Sequence, residues 1–272
     1  MRRNTPDLDT LRARLLPWIA VAILFGTAVA AHAQQARVVD ITTRPGVTQR
    51  FLYLAPEKPK AAAVLFPGGQ GDLQIMPDGS VARQKGNFLV RSRELFVEQG
   101  IAVAVVGPPS DRQNLAGFRQ TRDHVEDIGA VIDWLRREAH VPVWLVGTSR
   151  GTLSAAYVST QLQRGNGADG VVLTSTVLAQ SKNTREGIVL DLALERIDIP
   201  VLVVHHKQDG CRVCPISEVP RLMNKLTAAP RKEFLAVEGG ISEGDPCEAF
   251  AYHGYNGIER EVVAKIAAWL VH

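Results

Sequence analysis

The chain is poor in aromatic residues, at 6%, holds only three cysteines among 272 residues, and carries no basic run longer than a pair. Each shortage removes a class of protein. Three cysteines are too few for a small scaffold held by disulfides. A formal net charge of +3, from 31 Lys and Arg against 28 Asp and Glu, with no basic stretch, argues against an electrostatic nucleic-acid binder. No linker rich in Pro, Ser or Gly and no internal repeat interrupts the chain, so nothing marks a domain boundary or a solenoid. What is present is 46% hydrophobic and 22% charged content, enough to bury a sizeable core and unlike a disordered or collagenous chain. The composition fits one α/β domain acting on small or neutral partners, and leaves the oligomeric state open.

Long hydrophobic runs are also scarce. Arg2, Arg3, Arg12 and Arg14 precede an apolar run from Leu15 to Ala30, and Ala31-His32-Ala33 follows with small residues where a signal peptidase reads. Pro17 and Gly26 break the run, which is shorter than the ~20 residues a spanning helix needs. Residues 1–33 are therefore expected to be a signal peptide cleaved after Ala33, sending residues 34–272 to the periplasm or the medium. Removal takes away four basic and two acidic groups, leaving 27 against 26, a net charge of +1. No second run approaches membrane length, so no membrane span is expected after cleavage.

The remainder alternates strand and helix patterns. Strands are expected at Ala36 to Ile41, Arg50 to Leu54, Ala61 to Phe66, Ile101 to Val106, Pro142 to Val146, Gly170 to Thr174, Val201 to His205 and Lys232 to Val237. Several are continuous apolar runs, the mark of strands buried on both faces. Helical spacing covers Asn87 to Gln99, Thr121 to Glu138, Arg150 to Gln163, Glu218 to Leu226 and Ile258 to Leu270. This order predicts a mostly parallel central sheet with helices on both faces, its ligand site at the carboxyl ends of the strands.

One stretch carries chemistry. Val143-Trp144-Leu145-Val146 runs into Gly147-Thr148-Ser149-Arg150-Gly151 and out into a helix, so a Gly-x-Ser-x-Gly pattern sits between strand and helix. A serine on such a turn lifts its hydroxyl above the sheet, while the two glycines remove side chains that would collide with neighbouring elements. The new helix also points amides at the site, and the Arg150 N–H is placed to bond a developing oxyanion. Ser149 is the candidate nucleophile; it needs a base, and the base needs an orienting carboxylate.

With these residues the chain, from about residue 48 to its end, resembles the α/β-hydrolase family, and in particular esterases of the dienelactone-hydrolase type. That family orders nucleophile, acid and histidine along the chain on successive strand ends. The resemblance implies Asp209 as the acid, after the strand ending His205-His206, and His253, just before the last helix, as the base. Separations of 60 and 44 residues suit that layout. Glu243 and Asp245 are the alternative carboxylates; His206 is a further candidate to line the site. The second oxyanion donor is expected in Pro67-Gly68-Gly69-Gln70-Gly71, with Gly69 first and Gln70 second, although Pro67 stands where many relatives carry histidine. This loop lacks the ending of a P-loop and the spacing of a dinucleotide fingerprint, so no nucleotide or other cofactor is expected.

If Asp209 and His253 meet, Cys211 and Cys247 come close, and the resemblance implies a bridge between a cysteine just after the acid and the Pro-Cys before the histidine. Cys211 to Cys247 is favoured, with Cys214 as the alternative partner of Cys247. Two rival functions stay open: thiol-disulfide exchange at Cys211-x-x-Cys214, and a non-catalytic binding protein on a hydrolase scaffold. About 25 residues separate the strand at Gly170 to Thr174 from the next, too few for a large cap; the segments Gly71 to Gly86 and Gly239 to Gly257 are expected to shape the pocket instead. Arg91, Arg93 and Arg150 are candidates for holding an anionic substrate. The cysteines and histidines lack a recognisable metal-ligand spacing, so no metal is expected. The expected activity is hydrolysis of an ester, thioester or amide of a small acyl substrate.

Overall fold

The computed structural model describes residue 1 and residues 36–162, 165–180 and 186–272. The expected signal peptide, Met1 apart, and its cleavage site lie outside the described residues. Eight strands are present: β1 (Arg37–Arg44), β2 (Val47–Leu54), β3 (Ala61–Phe66), β4 (Ile101–Pro109), β5 (Val143–Thr148), β6 (Gly170–Thr174), β7 (Val201–His206) and β8 (Lys232–Val237). They form one sheet in the order β1-β2-β4-β3-β5-β6-β7-β8. The first two pairings, β1 with β2 and β2 with β4, are antiparallel, and the other five are parallel.

The apolar runs explain which strands lie inside. In β3, β5, β6 and β7 every residue is buried, because side chains alternate between two cores. Val143 and Leu145 of β5 join one core, while Trp144 and Val146 join the other. The first core is closed by α3 (Arg122–Ala139), α4 (Gly151–Gln161) and α5 (Val219–Lys225); the second by α1 (Phe88–Arg91), α2 (Arg93–Glu98) and α6 (Glu259–Leu270). No helix among the described residues is long and apolar enough to cross a membrane.

Local chemistry sets the helix ends. The Thr121 side chain caps α3 by accepting from the His124 amide at 3.2 Å, and the helix stops at His140, which takes the left-handed conformation at φ 53°. The helix expected across Asn87 to Gln99 is two short helices that meet at Ser92. Both turn their apolar residues, Phe88, Leu89 and Phe96 among them, to the same core. The hydrophobic period therefore runs through a break that it cannot register.

Two histidines are buried uncharged in the scaffold. His124 lies against Phe66 and Phe118, and both its ring nitrogens lack a hydrogen-bond partner among the described residues. Burial, aided by the nearby Arg119 charge, lowers its pKa to about 3. His205, on β7, is lowered by burial to about 4. An unfolded histidine takes up its proton near pH 6.5, whereas these two resist it in the fold. Stability is therefore full above about pH 6.5 and falls below it, by about 1.4 kcal/mol per pH unit for each histidine, until the folded pKa is reached. Urea unfolding followed from pH 7 to pH 4 should lose stability at up to twice that slope. His124→Leu should roughly halve the slope, because it removes one of the two protons taken up on unfolding.

Candidate active site

The central strand β5 delivers Ser149 to the carboxyl edge of the sheet. Ser149 adopts φ 52°, a left-handed conformation rare for a residue with a side chain. Its amide is held by the Thr174 carbonyl at the end of β6, at 3.0 Å. The two flanking glycines are obligatory on packing grounds. A Cβ on Gly147 would lie 2.5 Å from the Gly151 carbonyl oxygen, and one on Gly151 would lie 1.9 Å from that of Phe66. The tight passage from strand to helix thus requires the glycines that the sequence supplies, and it stores strain at the serine.

Asp209 and His253, 44 residues apart, meet. The turn after β7 carries Asp209, whose Oδ1 accepts from the Cys211 amide at 2.9 Å and whose Oδ2 lies 2.9 Å from His253 Nδ1. The carboxylate is fully buried and the imidazole almost so, which strengthens the contact by excluding water. With Nδ1 engaged, Nε2 is buried and has no partner among the described residues. Ser149 faces the Cys214 thiol closely enough to lower that thiol's pKa against the larger rise from burial, and a ring nitrogen of His253 lies within 4.8 Å of the same sulfur. Serine and imidazole therefore border one buried atom, although no hydrogen bond joins them directly in this structure.

The alternative carboxylates stand elsewhere. Glu243 and Asp245 are exposed, and Asp245 Oδ1 caps its own turn through the Cys247 amide at 2.8 Å. His206 does not reach the reacting groups but fixes the loop that carries His253. Its Nδ1 accepts from the Gln208 amide at 3.0 Å, so Nε2 holds the proton and donates to the Gly239 carbonyl at 2.9 Å. The ring also stacks on Tyr252 at 4.4 Å. Both ends of the loop are thereby anchored to β7.

Three supporting groups carry no sequence signal. Tyr255, two residues beyond His253, is buried and donates its hydroxyl proton to the Val204 carbonyl at 2.9 Å. Ser175, left-handed at φ 44°, donates to the His253 carbonyl at 2.7 Å and fixes the backbone that bears the imidazole. His205 Nε2 accepts from the Thr176 amide at 2.8 Å, which leaves its proton on Nδ1, 3.9 Å from Asp209 Oδ2. Only their partners in space reveal these roles.

Cys211 and Cys247 form a disulfide across 36 positions, tying the Asp209 turn to the His253 loop. The thiol-exchange alternative needs Cys211 and Cys214 to pair. Cys214 is instead a free, buried thiol, and burial, with the negative charge of Asp209, pushes its pKa well up, so it is held as the unreactive thiol. Cys211, Cys214 and His253 crowd together, but the bridge takes the Cys211 sulfur and leaves fewer donors than the three or four of a zinc site. By closing a loop of this length the bridge contributes about 4 kcal/mol in the chain-entropy model. Cys247→Ser should lower the urea midpoint accordingly and reduce kcat/KM for an ester, because the acid turn and the histidine loop are no longer joined. Unchanged values for both would show the bridge to be incidental.

Above the serine opens a cleft of about 1010 Å³ lined by Gly69, Gln70, Asn87, Arg150, Val177 and Phe250, among others. The amides of Gly69, Gln70 and Arg150 donate to no acceptor among the described residues. Such free N–H groups beside a serine suit a developing negative charge. The arginines considered for an anionic substrate are already engaged: Arg91 with Glu259 at 2.9 Å, Arg93 with Glu94 at 3.3 Å and Arg150 with Glu186 at 3.2 Å. Between β6 and β7 the described residues hold only two single turns of 3-10 helix, Val189–Asp191 and Leu194–Arg196.

No protein-family model and no curated protein matches the chain. Solved structures do. An esterase from Pyrococcus furiosus superposes with a TM-score of 0.62 at 13% identity, over 87% of this chain and 90% of that one. A dienelactone hydrolase from Anabaena variabilis gives 0.56 at 14% identity, over 87% and 97%. A serine hydrolase without a lid from Xanthomonas campestris gives 0.57 at 14% identity, over 87% and 96%. The strand order, the helices on both faces and these likenesses agree: the chain has the α/β-hydrolase fold.

Proposed function

We propose that the protein is an exported serine hydrolase that cleaves an ester, thioester or amide of a small acyl substrate, carboxylic esters before the others. The observation that carries this reading is the buried pair of His253 Nδ1 and Asp209 Oδ2 at 2.9 Å, which leaves Nε2 unpartnered next to the strained turn of Ser149. A buried imidazole nitrogen without a partner is costly in a structural role and useful in a catalytic one. In this mechanism the Ser149 hydroxyl turns to Nε2, gives up its proton and attacks the acyl carbon. Asp209 fixes the proton on Nδ1 and stabilises the imidazolium that forms. The Arg150 amide and an amide of the Gly69–Gln70 pair receive the oxyanion. His253 then returns the proton to the leaving group, and water releases the acyl group by the same steps in reverse.

The names of the structural neighbours, esterases and a dienelactone hydrolase, favour carboxylic esters. The pairing of Arg150 with Glu186 beside the serine favours a neutral over an anionic acyl group. The disulfide accords with an oxidising compartment, and we place the protein in the periplasm or outside the cell after cleavage following Ala33. N-terminal sequencing of the exported protein should begin at Gln34. The activity is tested with the mature protein on a panel of p-nitrophenyl esters: hydrolysis stopped by a fluorophosphonate supports the reading, and failure of both hydrolysis and labelling would leave a binding protein on this scaffold.

A further inference from the structure

The turn between β4 and α3 holds an arginine that the chemistry above does not use. Arg119 is 1% exposed, and none of the described carboxylates pairs with it. Its guanidinium instead serves neutral oxygens. Nη1 donates to Ser154 Oγ at 3.0 Å, and Nη2 donates to the carbonyls of Pro67 at 3.3 Å and Gly69 at 3.2 Å. Its Nε has no partner among the described residues. Burial lowers its pKa to about 10, so the group remains charged at neutral pH. A buried cation without a carboxylate costs stability, and the loop that it grips contains both candidate oxyanion donors.

The direction of the grip matters. The described peptide bonds are trans, so each N–H points opposite to the carbonyl of the preceding residue. Drawing the Gly69 carbonyl to Arg119 therefore turns the Gln70 amide the other way, and Gln70 lines the cleft. The same turn holds the next carbonyl as well, because the Leu115 amide donates to Gln70 at 2.8 Å. Gly71 lets the two segments seat: a Cβ there would lie 2.7 Å from Leu115 Cδ1 and 2.9 Å from Arg119 Nη2.

We propose that Arg119 is the positioning residue of the oxyanion hole, orienting the loop so that the amide of Gln70, rather than that of Gly69, joins the Arg150 amide at the developing charge. This inference rests on the serine-hydrolase reading. The planar fork of arginine reaches three oxygens at once, and a lysine at this position keeps the charge but not the fork.

The test compares wild type with Arg119→Lys in three measurements: kcat and KM on a p-nitrophenyl ester, the inhibition constant of a trifluoromethyl ketone that forms a tetrahedral adduct, and the urea midpoint. A loss confined to the transition state is expected, with kcat down about tenfold or more, somewhat less than removal of a donor outright. The ketone should weaken by the same factor, and KM should change less than threefold. A kcat and a ketone constant within threefold of wild type would overturn the proposal, as would a loss confined to KM. If Arg119→Lys fails to fold, Ser154→Ala, which frees Nη1 alone, should give the same pattern at smaller amplitude, and no change in it would equally overturn the proposal. Failure of the wild type to hydrolyse any ester and to react with a fluorophosphonate would refute the serine-hydrolase reading itself; an active wild type with an indifferent Arg119→Lys would refute only the role of Arg119.

Discussion

Ser149→Ala should abolish turnover of a p-nitrophenyl ester, lowering kcat by on the order of 10⁴-fold or more while KM stays within a few-fold. Alanine keeps the Cβ, so the turn at φ 52° and the packing against Gly68 are retained, and the loss isolates the hydroxyl. The neighbouring Cys214 should not substitute for it. That thiol is buried, and its raised pKa keeps it protonated at neutral pH. Any residual rate should reflect the free amides of the cleft, which still stabilise a tetrahedral centre. Activity above a tenth of wild type in this variant would mean that another group attacks.

Asp209→Asn should be nearly as damaging, with kcat lower by about 10⁴-fold, although little changes in shape. The carboxylate accepts from two donors, the Cys211 amide through Oδ1 and the Nδ1–H of His253 through Oδ2. An asparagine can accept one of these with its oxygen but offers an NH₂ group to the other. If the NH₂ faces His253, the ring must carry its proton on Nε2, where it cannot accept one from serine. The disulfide and Tyr255 hold the loop in either case, so the urea midpoint should move far less than the rate does. A kcat within tenfold of wild type would show that Asp209 merely caps its turn.

The apolar runs made most of the sheet legible. Strands β3 and β6 begin and end where the composition of the sequence places them, because continuous Val, Leu and Ala stretches have no alternative to burial on both faces; β8 also keeps its expected bounds, although as an edge strand it is mostly exposed. The serine turn was legible for a similar reason, since glycines at 147 and 151 answer a steric demand. Asp209 and His253 could be named because the resemblance to the α/β-hydrolase family implies its acid and its histidine at these points of the chain.

What the sequence concealed depends on partners brought together by the fold. Nothing near Arg119 hints that it turns inward, since the oxygens it binds come from residues 67, 69 and 154. Ser175 and Tyr255 are ordinary residue types whose positive φ angles and mutual hydrogen bonds arise only when the ends of β6 and β7 are side by side. Gly69 ranks above Gln70 as a donor in the sequence because a residue without a side chain lets its backbone amide approach the substrate oxygen. The direction of the Gly69 carbonyl, a backbone property that no residue pattern encodes, reverses that order in the proposal above.

The most direct measurement is an acid quench of the mature protein a few milliseconds into reaction with p-nitrophenyl acetate, followed by intact mass and peptide mapping. One acetyl group per chain on the peptide containing Ser149, absent from Ser149→Ala and from His253→Ala, is the expected result. Acetyl on Cys214 or elsewhere, or ester hydrolysis that proceeds with no covalent adduct in a burst of released nitrophenol, would contradict a serine activated by His253.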